Sequence, residues 1–292
     1  MAANKQIVDD FGDIIADELR TNFASYNSGE EREFISDVIP LLDNIVLHSD
    51  GQTLHAKTKN IDRTPKVEYK IPDHVDMPDD NKKYCRELAD LLLVANFFEN
   101  GSVKHRQALI SQSKCMKKRE VGYVDWKIDL YQFVLLNSLP LFELDYKASD
   151  ERFNFSPNST RLFNYSFVSN AHRPFFYRSS QMEEYMINTS GNKTTTFRHG
   201  TNPVTGLRLM LSILKRFLRG AYGEKFQSGS KEYNLLDEIY THAPLSDSKS
   251  SNVLPDGGEE TPPPEGVIIQ FDVNLDGDQS SFDEMDEGGL RL

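Results

Sequence analysis

Cysteine is almost absent from this chain: Cys85 and Cys115 are the only two among 292 residues. So few thiols exclude a disulfide framework and a thiolate zinc set, and a reducing compartment, the cytoplasm, is the expectation. In that setting the Asn-x-Ser/Thr triplets between Asn154 and Thr194 carry no glycosylation meaning. No apolar run approaches the roughly 20 residues that a membrane-crossing helix needs, and Met1 to Gln6 lacks the apolar core of a secretory signal. Also missing are the GxxxxGK[ST] phosphate loop, the Rossmann glycine pattern, the His-Glu-x-x-His zinc helix and the Gly-x-Ser-x-Gly elbow, which weakens the enzyme classes built on them.

Positive charge is scarce too, but unevenly. The net charge is −12, and residues 251–292 hold 11 Asp and Glu against one Arg, so the remainder is close to neutral. A neutral body can still present a local basic groove, and Lys104, Arg106, Lys114, Lys117, Lys118 and Arg119 cluster in sequence. The alternative for that cluster is a solvated charged edge that discourages strand pairing. Hydrophobic residues make up 38% of the chain, enough for a packed core.

The most informative stretch runs from Tyr84 to Lys118. Apolar runs flank Glu99-Asn100-Gly101-Ser102, and Asn-Gly supplies the positive φ angles of a type I′ hairpin turn. The first strand starts at Asp90 and is almost wholly apolar, which suits a strand covered on both faces. The second carries Gln112-Ser113-Lys114, where period-two alternation puts Gln112 and Lys114 on one face. A carboxylate at one strand's start thus meets an amide oxygen and an ammonium at its neighbour's end. That set suits a hard divalent cation, which takes only one or two protein carboxylates, with the lysine offsetting charge on a phosphate undergoing hydrolysis. Glu87, expected on the last turn of a helix, offers a second acid.

At Glu87, Asp90 and Gln112-Ser113-Lys114, the chain resembles the PD-(D/E)XK nuclease superfamily, in the subset where glutamine replaces the acid before the lysine. The resemblance covers about a third of the chain, from Ile61 to about Pro140. It implies an α/β (α+β-like) restriction-endonuclease-like core, a central mixed β-sheet flanked by helices. It further implies a Mg²⁺ or Mn²⁺ ion held by Asp90, Gln112 and the carbonyl of Ser113, with Glu87 as a further acid, Lys114 acting in catalysis and Gln132 facing the site from the following helix. The implied activity is phosphodiester hydrolysis, on DNA, in restriction or defence. Because Gln112 carries no negative charge, the alternative is a catalytically inactive nuclease-fold subunit that binds nucleic acid or regulates.

The rest of the chain frames this region. Ile7 to Tyr26 places Ile7, Phe11, Ile14, Ile15, Leu19 and Phe23 at helical spacing, and a second helix is read over Glu30 to Leu42. Thr64 to Tyr69 reads as an extended entry to the core. Asp79 and Asp80, the last acids of a Pro- and Asp-rich loop, read as caps of the helix bearing Glu87. Asp129 reads as the cap of a helix stopped near Pro140. A rival catalytic reading at Glu143-Leu144-Asp145-Tyr146-Lys147, an acid-x-Lys triplet, has Asp125 or Asp129 as partner acid, but Leu139-Pro140-Leu141 interrupts strand pairing there. Aromatics beside Arg161, Arg173 and Arg178 could stack on bases, although aromatic strands are usually core, and His172 reads as a loop residue. Val204 to Arg219 reads as a helix with Arg208, Lys215, Arg216 and Arg219 on its outer side.

The expected division is an N-terminal segment over 1–60, a nuclease-like core over 61–225, and a mostly flexible acidic tail over 226–292. Within the tail, Val267 to Val273 reads as an edge strand. It leads into Asp272 to Asp283, which has the oxygen-rich spacing of a calcium loop but lacks its usual apolar eighth position. The acidic tail is also the candidate docking segment for a partner protein or an occupant of the basic groove.

Overall fold

The hairpin that the sequence marks most strongly is the centre of the fold. In a computed structural model of the chain, Asn100 and Gly101 adopt φ of 52° and 70°, the left-handed pair that a tight turn requires. The structure describes residues 2–23, 42–61, 66–73, 75, 77, 82–120, 122–145, 152–153, 155, 161–169, 172–182, 186–187, 193–200, 208–242 and 266–276.

In chain order, helix α1 (Lys5–Phe23) precedes β1 (Ile45–Ser49), β2 (Gln52–Ile61), β3 (Lys66–Lys70) and β4 (Lys83–Glu87). The hairpin strands are β5 (Leu91–Glu99) and β6 (Ser102–Glu120), followed by β7 (Tyr123–Asp129) and helix α2 (Leu130–Ser138). Then come β8 (Phe142–Leu144), β9 (Arg152–Phe153), β10 (Phe163–Ser169), β11 (His172–Arg178), β12 (Met186–Ile187), β13 (Thr194–Gly200) and β14 (Arg208–Leu209). Helix α3 (Met210–Leu218), β15 (Glu224–Gln227), helix α4 (Lys231–His242) and β16 (Gly266–Asn274) complete the described chain.

The fold is α/β, with a mixed central sheet in the order β1-β2-β16-β5-β6-β10-β11-β14. β6 is long enough to serve several neighbours: it pairs antiparallel with β5, β15 and β7, and parallel with β10. A second, smaller sheet has the order β4-β3-β8-β9. Residues 91–98 are all buried because each face of β5 meets a separate apolar layer. Leu91, Leu93, Ala95 and Phe97 pack with α1 and α3, whereas Leu92 and Val94 pack with α2, α4 and the small sheet. Alternation along one strand thus feeds both layers, and hydrophobic burial on both sides makes it the core's midline.

Several expectations are corrected. Glu87 ends a strand, not a helix, because Lys83–Glu87 pairs residue for residue with Lys66–Lys70. Val267–Val273 lies inside the sheet, antiparallel to β2 and parallel to β5, and so is no edge. Its run of apolar residues on both faces gives it the same double coverage as β5. The 226–292 region is therefore no simple tail: it supplies α4 and a central strand, and β1 and β2 from the N-terminal segment complete the same sheet. Ile7, Val8, Phe11 and Ile15 form the buried stripe of α1, which leaves Ile14 at its border and 42% exposed. The expected helix over Glu30 to Leu42 and the caps Asp79 and Asp80 lie outside the described residues, Leu42 excepted, and so does the start of the helix read from Val204. Arg208–Leu209, read as helical, is strand β14, and α3 begins at Met210.

Candidate functional site

The site forms where β5 stops short of β6. Leu91 is opposite Ser111, the Asp90 N–H donates to the Ser111 carbonyl at 3.0 Å, and the Asp90 carbonyl accepts from the Val267 N–H at 2.9 Å. Beyond that point β6 continues without β5 beside it. The next N–H on that edge, that of Ser113, donates instead to Asp90 Oδ2 at 2.7 Å. A strand residue's N–H and C=O point to the same neighbour, so the Ser113 carbonyl faces the same interrupted edge.

Gln112 stands opposite Asp90 on the face towards α2. Its Nε2 donates to Asp90 Oδ2, and its Oε1 accepts from Gln132 Nε2 at 2.7 Å. The Gln132 nitrogen also donates to the backbone carbonyl of Glu87 at 3.2 Å. Gln132 is held there by the start of α2: the Asp129 carboxylate accepts from the Gln132 N–H at 2.9 Å and fixes the helix's first turn. The result is a directed chain from Gln132 through Gln112 to Asp90. Asp90, Gln112 and Gln132 are 5%, 1% and 5% exposed, so these polar groups lie at a nearly buried strand end where every missing partner would be costly.

Lys114 lies two residues on along the same face of β6 and is half-buried. Glu87 contributes differently from expectation. Along β4, Tyr84 and Arg86 turn towards α2: the Tyr84 ring stacks on Tyr131 at 4.4 Å, and Arg86 pairs with Asp129 at 3.3 Å. Alternation puts the Glu87 side chain with Lys83 and Cys85 on the opposite face, so the carbonyl of Glu87 joins the cluster in place of its carboxylate.

Tyr165 is a member that sequence reasoning missed. It pairs in register with Gln112 across β6 and β10, is 0% exposed, and its hydroxyl has no hydrogen-bond partner among the described residues. Burial, with the nearby charges of Asp129 and Asp90, pushes its phenol well above the ordinary tyrosine range, so the group stays a donor. The signal available was a hydroxyl-bearing ring between Phe163 and Phe167 on the apolar side of an alternating strand.

No protein-family model, no protein of curated function and no solved structure matches this chain. The chemistry therefore rests on the geometry of the cluster itself. Among the described residues no three His, Cys, Asp or Glu side chains gather as a metal site. The donor set is one carboxylate, one side-chain amide and a backbone carbonyl, and magnesium, which keeps most of its waters, needs no more than one or two carboxylates.

The other candidates are placed elsewhere. Glu143 accepts from Lys83 and Arg152, each at 2.9 Å, on the outer side of the small sheet, and Lys147 lies outside the described residues. Asp125 forms a two-pronged pair with Arg198 at 2.8 and 2.9 Å, and Asp129 is the α2 cap. Arg106, counted in the basic cluster, is buried: it donates to Asn96 at 2.9 Å and to Asp237, and its guanidinium lies 4.2 Å from the Tyr233 ring centre. Lys104 pairs with Glu99 at 3.0 Å, and the side chains of Lys117, Lys118 and Arg119 lie outside those described. Lys215 on α3 and Arg219 just past its end pair with Asp9 of α1, so that basic face is partly neutralised within the fold. Arg178 lies 5.3 Å from the Tyr222 ring centre, while the side chains of His172 and Arg173 lie outside those described.

The expected calcium loop begins inside a strand. The Asp272 carboxylate is buried and accepts from Asn96 at 2.9 Å and from Gln270 at 2.8 and 2.9 Å, which commits its oxygens to the sheet. Asn274 accepts from the Asp276 N–H at 3.0 Å, and positions 277–283 lie outside the described residues.

Proposed function

We propose that the chain is a divalent-metal-dependent nuclease acting on DNA. The observation that carries this reading is the convergence of Asp90, Gln112 and the open carbonyl edge of Ser113 at one interrupted strand end, with Lys114 next on the same face. The residues fit a Mg²⁺ or Mn²⁺ ion: the Asp90 carboxylate, the Gln112 amide oxygen and the Ser113 carbonyl would hold it, with the buried Tyr165 hydroxyl as an unused donor nearby. When bound, the ion supplies polarisation of a phosphate and of a water. Gln112 is the residue that exchanges partners, because its nitrogen lies on Asp90 and its oxygen on Gln132. Gln132 steadies Gln112, and Lys114 offsets the negative charge that develops on the phosphate. Asp90 orients what the ion brings.

A second reading rests on the same amide. Gln112 lets the cluster satisfy itself with a single carboxylate, which suits a nuclease-fold protein that binds nucleic acid without cutting it. Incubation of purified protein with single- and double-stranded DNA and RNA, in Mg²⁺ and in Mn²⁺, separates the two. The nuclease reading expects cleavage that Asp90→Asn abolishes and Lys114→Ala lowers about a hundredfold or more. Binding of DNA without cleavage in either metal, unchanged by Asp90→Asn, favours the second reading.

A further inference from the structure

Among the described residues, Tyr165 is the one polar side chain on this face of the sheet whose buried atom the fold leaves without a partner beside the Asp90 cluster. The other buried polar atoms lacking partners, on His105, Gln107, Ser111 and Glu238, belong to other rows or the opposite face of the sheet, or to a helix away from this strand end. The Tyr165 ring is fixed by Phe167, 6.1 Å away and stacked, and by the surrounding apolar layer. Its Cα partner is Gln112, whose side-chain nitrogen donates to Asp90, so the three lie together across β10, β6 and the start of β5. A phenylalanine would fill this place as well for packing alone, without burying an unused O–H.

We infer that Tyr165 is a positioning residue of the Asp90 site, its hydroxyl donating to a water that enters the site with a divalent ion. The inference rests on the proposed nuclease reading and extends it to a residue outside the acid, amide and lysine set. A donor at this place would orient that water relative to Asp90 and Gln112 and thereby affect both ion affinity and the rate of hydrolysis. A phenol suits this role, because its hydroxyl gives a hydrogen bond without adding charge.

The test compares full-length wild type, Tyr165→Phe and Asp90→Asn. Mn²⁺ binding is followed by electron paramagnetic resonance and calorimetry, thermal unfolding is measured without metal and with Mn²⁺, and DNA cleavage is resolved into kcat and KM. The expected result for Tyr165→Phe is metal-free stability equal to or above wild type, Mn²⁺ affinity about tenfold weaker, a smaller thermal shift on adding Mn²⁺, and a loss in kcat with KM for DNA unchanged. Wild-type Mn²⁺ affinity and kcat in Tyr165→Phe would overturn the assignment while leaving the nuclease reading intact. So would a metal-free variant that melts well below wild type, since the hydroxyl would then serve the fold itself. Wild-type protein that takes up no Mn²⁺, or takes it up equally after Asp90→Asn, overturns both.

Discussion

Replacing Gln112 by glutamate puts an acid two residues before Lys114 and turns the amide relay into a measurement of the proposed ion's contribution. In the wild type Gln112 Nε2 donates to Asp90 Oδ2, a bond to a charged acceptor worth about 1.5–3 kcal/mol. Gln112→Glu removes that donor and presses a second carboxylate against the first, in a place only 1% exposed. The pair relieves the repulsion by holding a proton, which against an ordinary glutamate of about 4.3 costs about 4 kcal/mol at pH 7. For a chain of this size that lowers Tm by roughly 10 °C in the absence of metal. Because the folded-state pKa is raised, the folded protein binds more protons than the unfolded one. The deficit therefore shrinks as pH falls from 7 towards the unfolded glutamate range. A divalent ion between the carboxylates replaces the proton, and at a hundred times its Kd it returns about 2.7 kcal/mol. Differential scanning fluorimetry of wild type and Gln112→Glu over a Mg²⁺ series checks this, with the variant expected to show the larger shift. A variant whose Tm falls and then ignores tens of millimolar Mg²⁺ would refute the idea that Asp90 and residue 112 face a common ion.

The remaining expectations concern the frame around the site. Burial, reinforced by Lys225 and the chain's amino terminus, lowers His105 to about 4, so between pH 6.5 and about 4 the unfolded chain binds a proton that the folded chain refuses. Stability therefore falls as pH drops through that window, by up to about 3 kcal/mol. His105→Phe keeps the ring stack on Phe97 at 4.5 Å and should flatten this acid slope in urea titrations at pH 7 and pH 4.5; an unchanged slope would assign the acid loss to other groups. Asp272→Ala leaves the Asn96 and Gln270 amides without an acceptor and disturbs the buried Asn96–Arg106–Asp237 chain, an expected cost of about 3 kcal/mol. Asp272→Asn, which keeps an acceptor, should lose less in the same urea titration, and equal losses would assign the cost to something other than the missing acceptor.

What could be read from the letters divides along physical lines. The hairpin was legible because Asn100-Gly101 imposes a local backbone geometry, and the double coverage of β5 because an unbroken apolar run has few other uses. The meeting of Asp90 with Gln112 was legible because strand parity places side chains with little freedom, whereas Gln132 was placed beside them by the resemblance alone. Glu87 was misread since the pattern Tyr84-Cys85-Arg86-Glu87 has no period strong enough to separate a helical turn from a short strand, and only pairing with β3 decides it. The central position of β16 was hidden for a different reason: its partners β2 and β5 lie far away in sequence, and local text carries no record of such long-range pairing. Arg106 shows the same limit. Beside other lysines and arginines it reads as surface charge, whereas Asn96 and Asp237 make it a buried pivot between sheet and helix.

Finishing a strand requires less than Asp90 supplies. Where β5 ends, the Ser113 N–H needs an acceptor, and Gln112 needs one for its amide nitrogen. A neutral oxygen meets both needs, and asparagine would supply one at the same reach. A carboxylate meets them too, but taking its charge out of water costs several kcal/mol, of which stronger hydrogen bonds return only part. Packing and ladder completion therefore account for an acceptor at this position, while a carboxylate in place of an amide suits a neighbouring cation. A carboxylate here suits the proposed reading, in which a divalent ion is drawn to the group formed by Asp90, Gln112 and Tyr165 with Lys114 next on the same face. On that view the carboxylate serves the proposed ion, and the same logic explains why Tyr165 keeps a hydroxyl that the metal-free packing leaves idle.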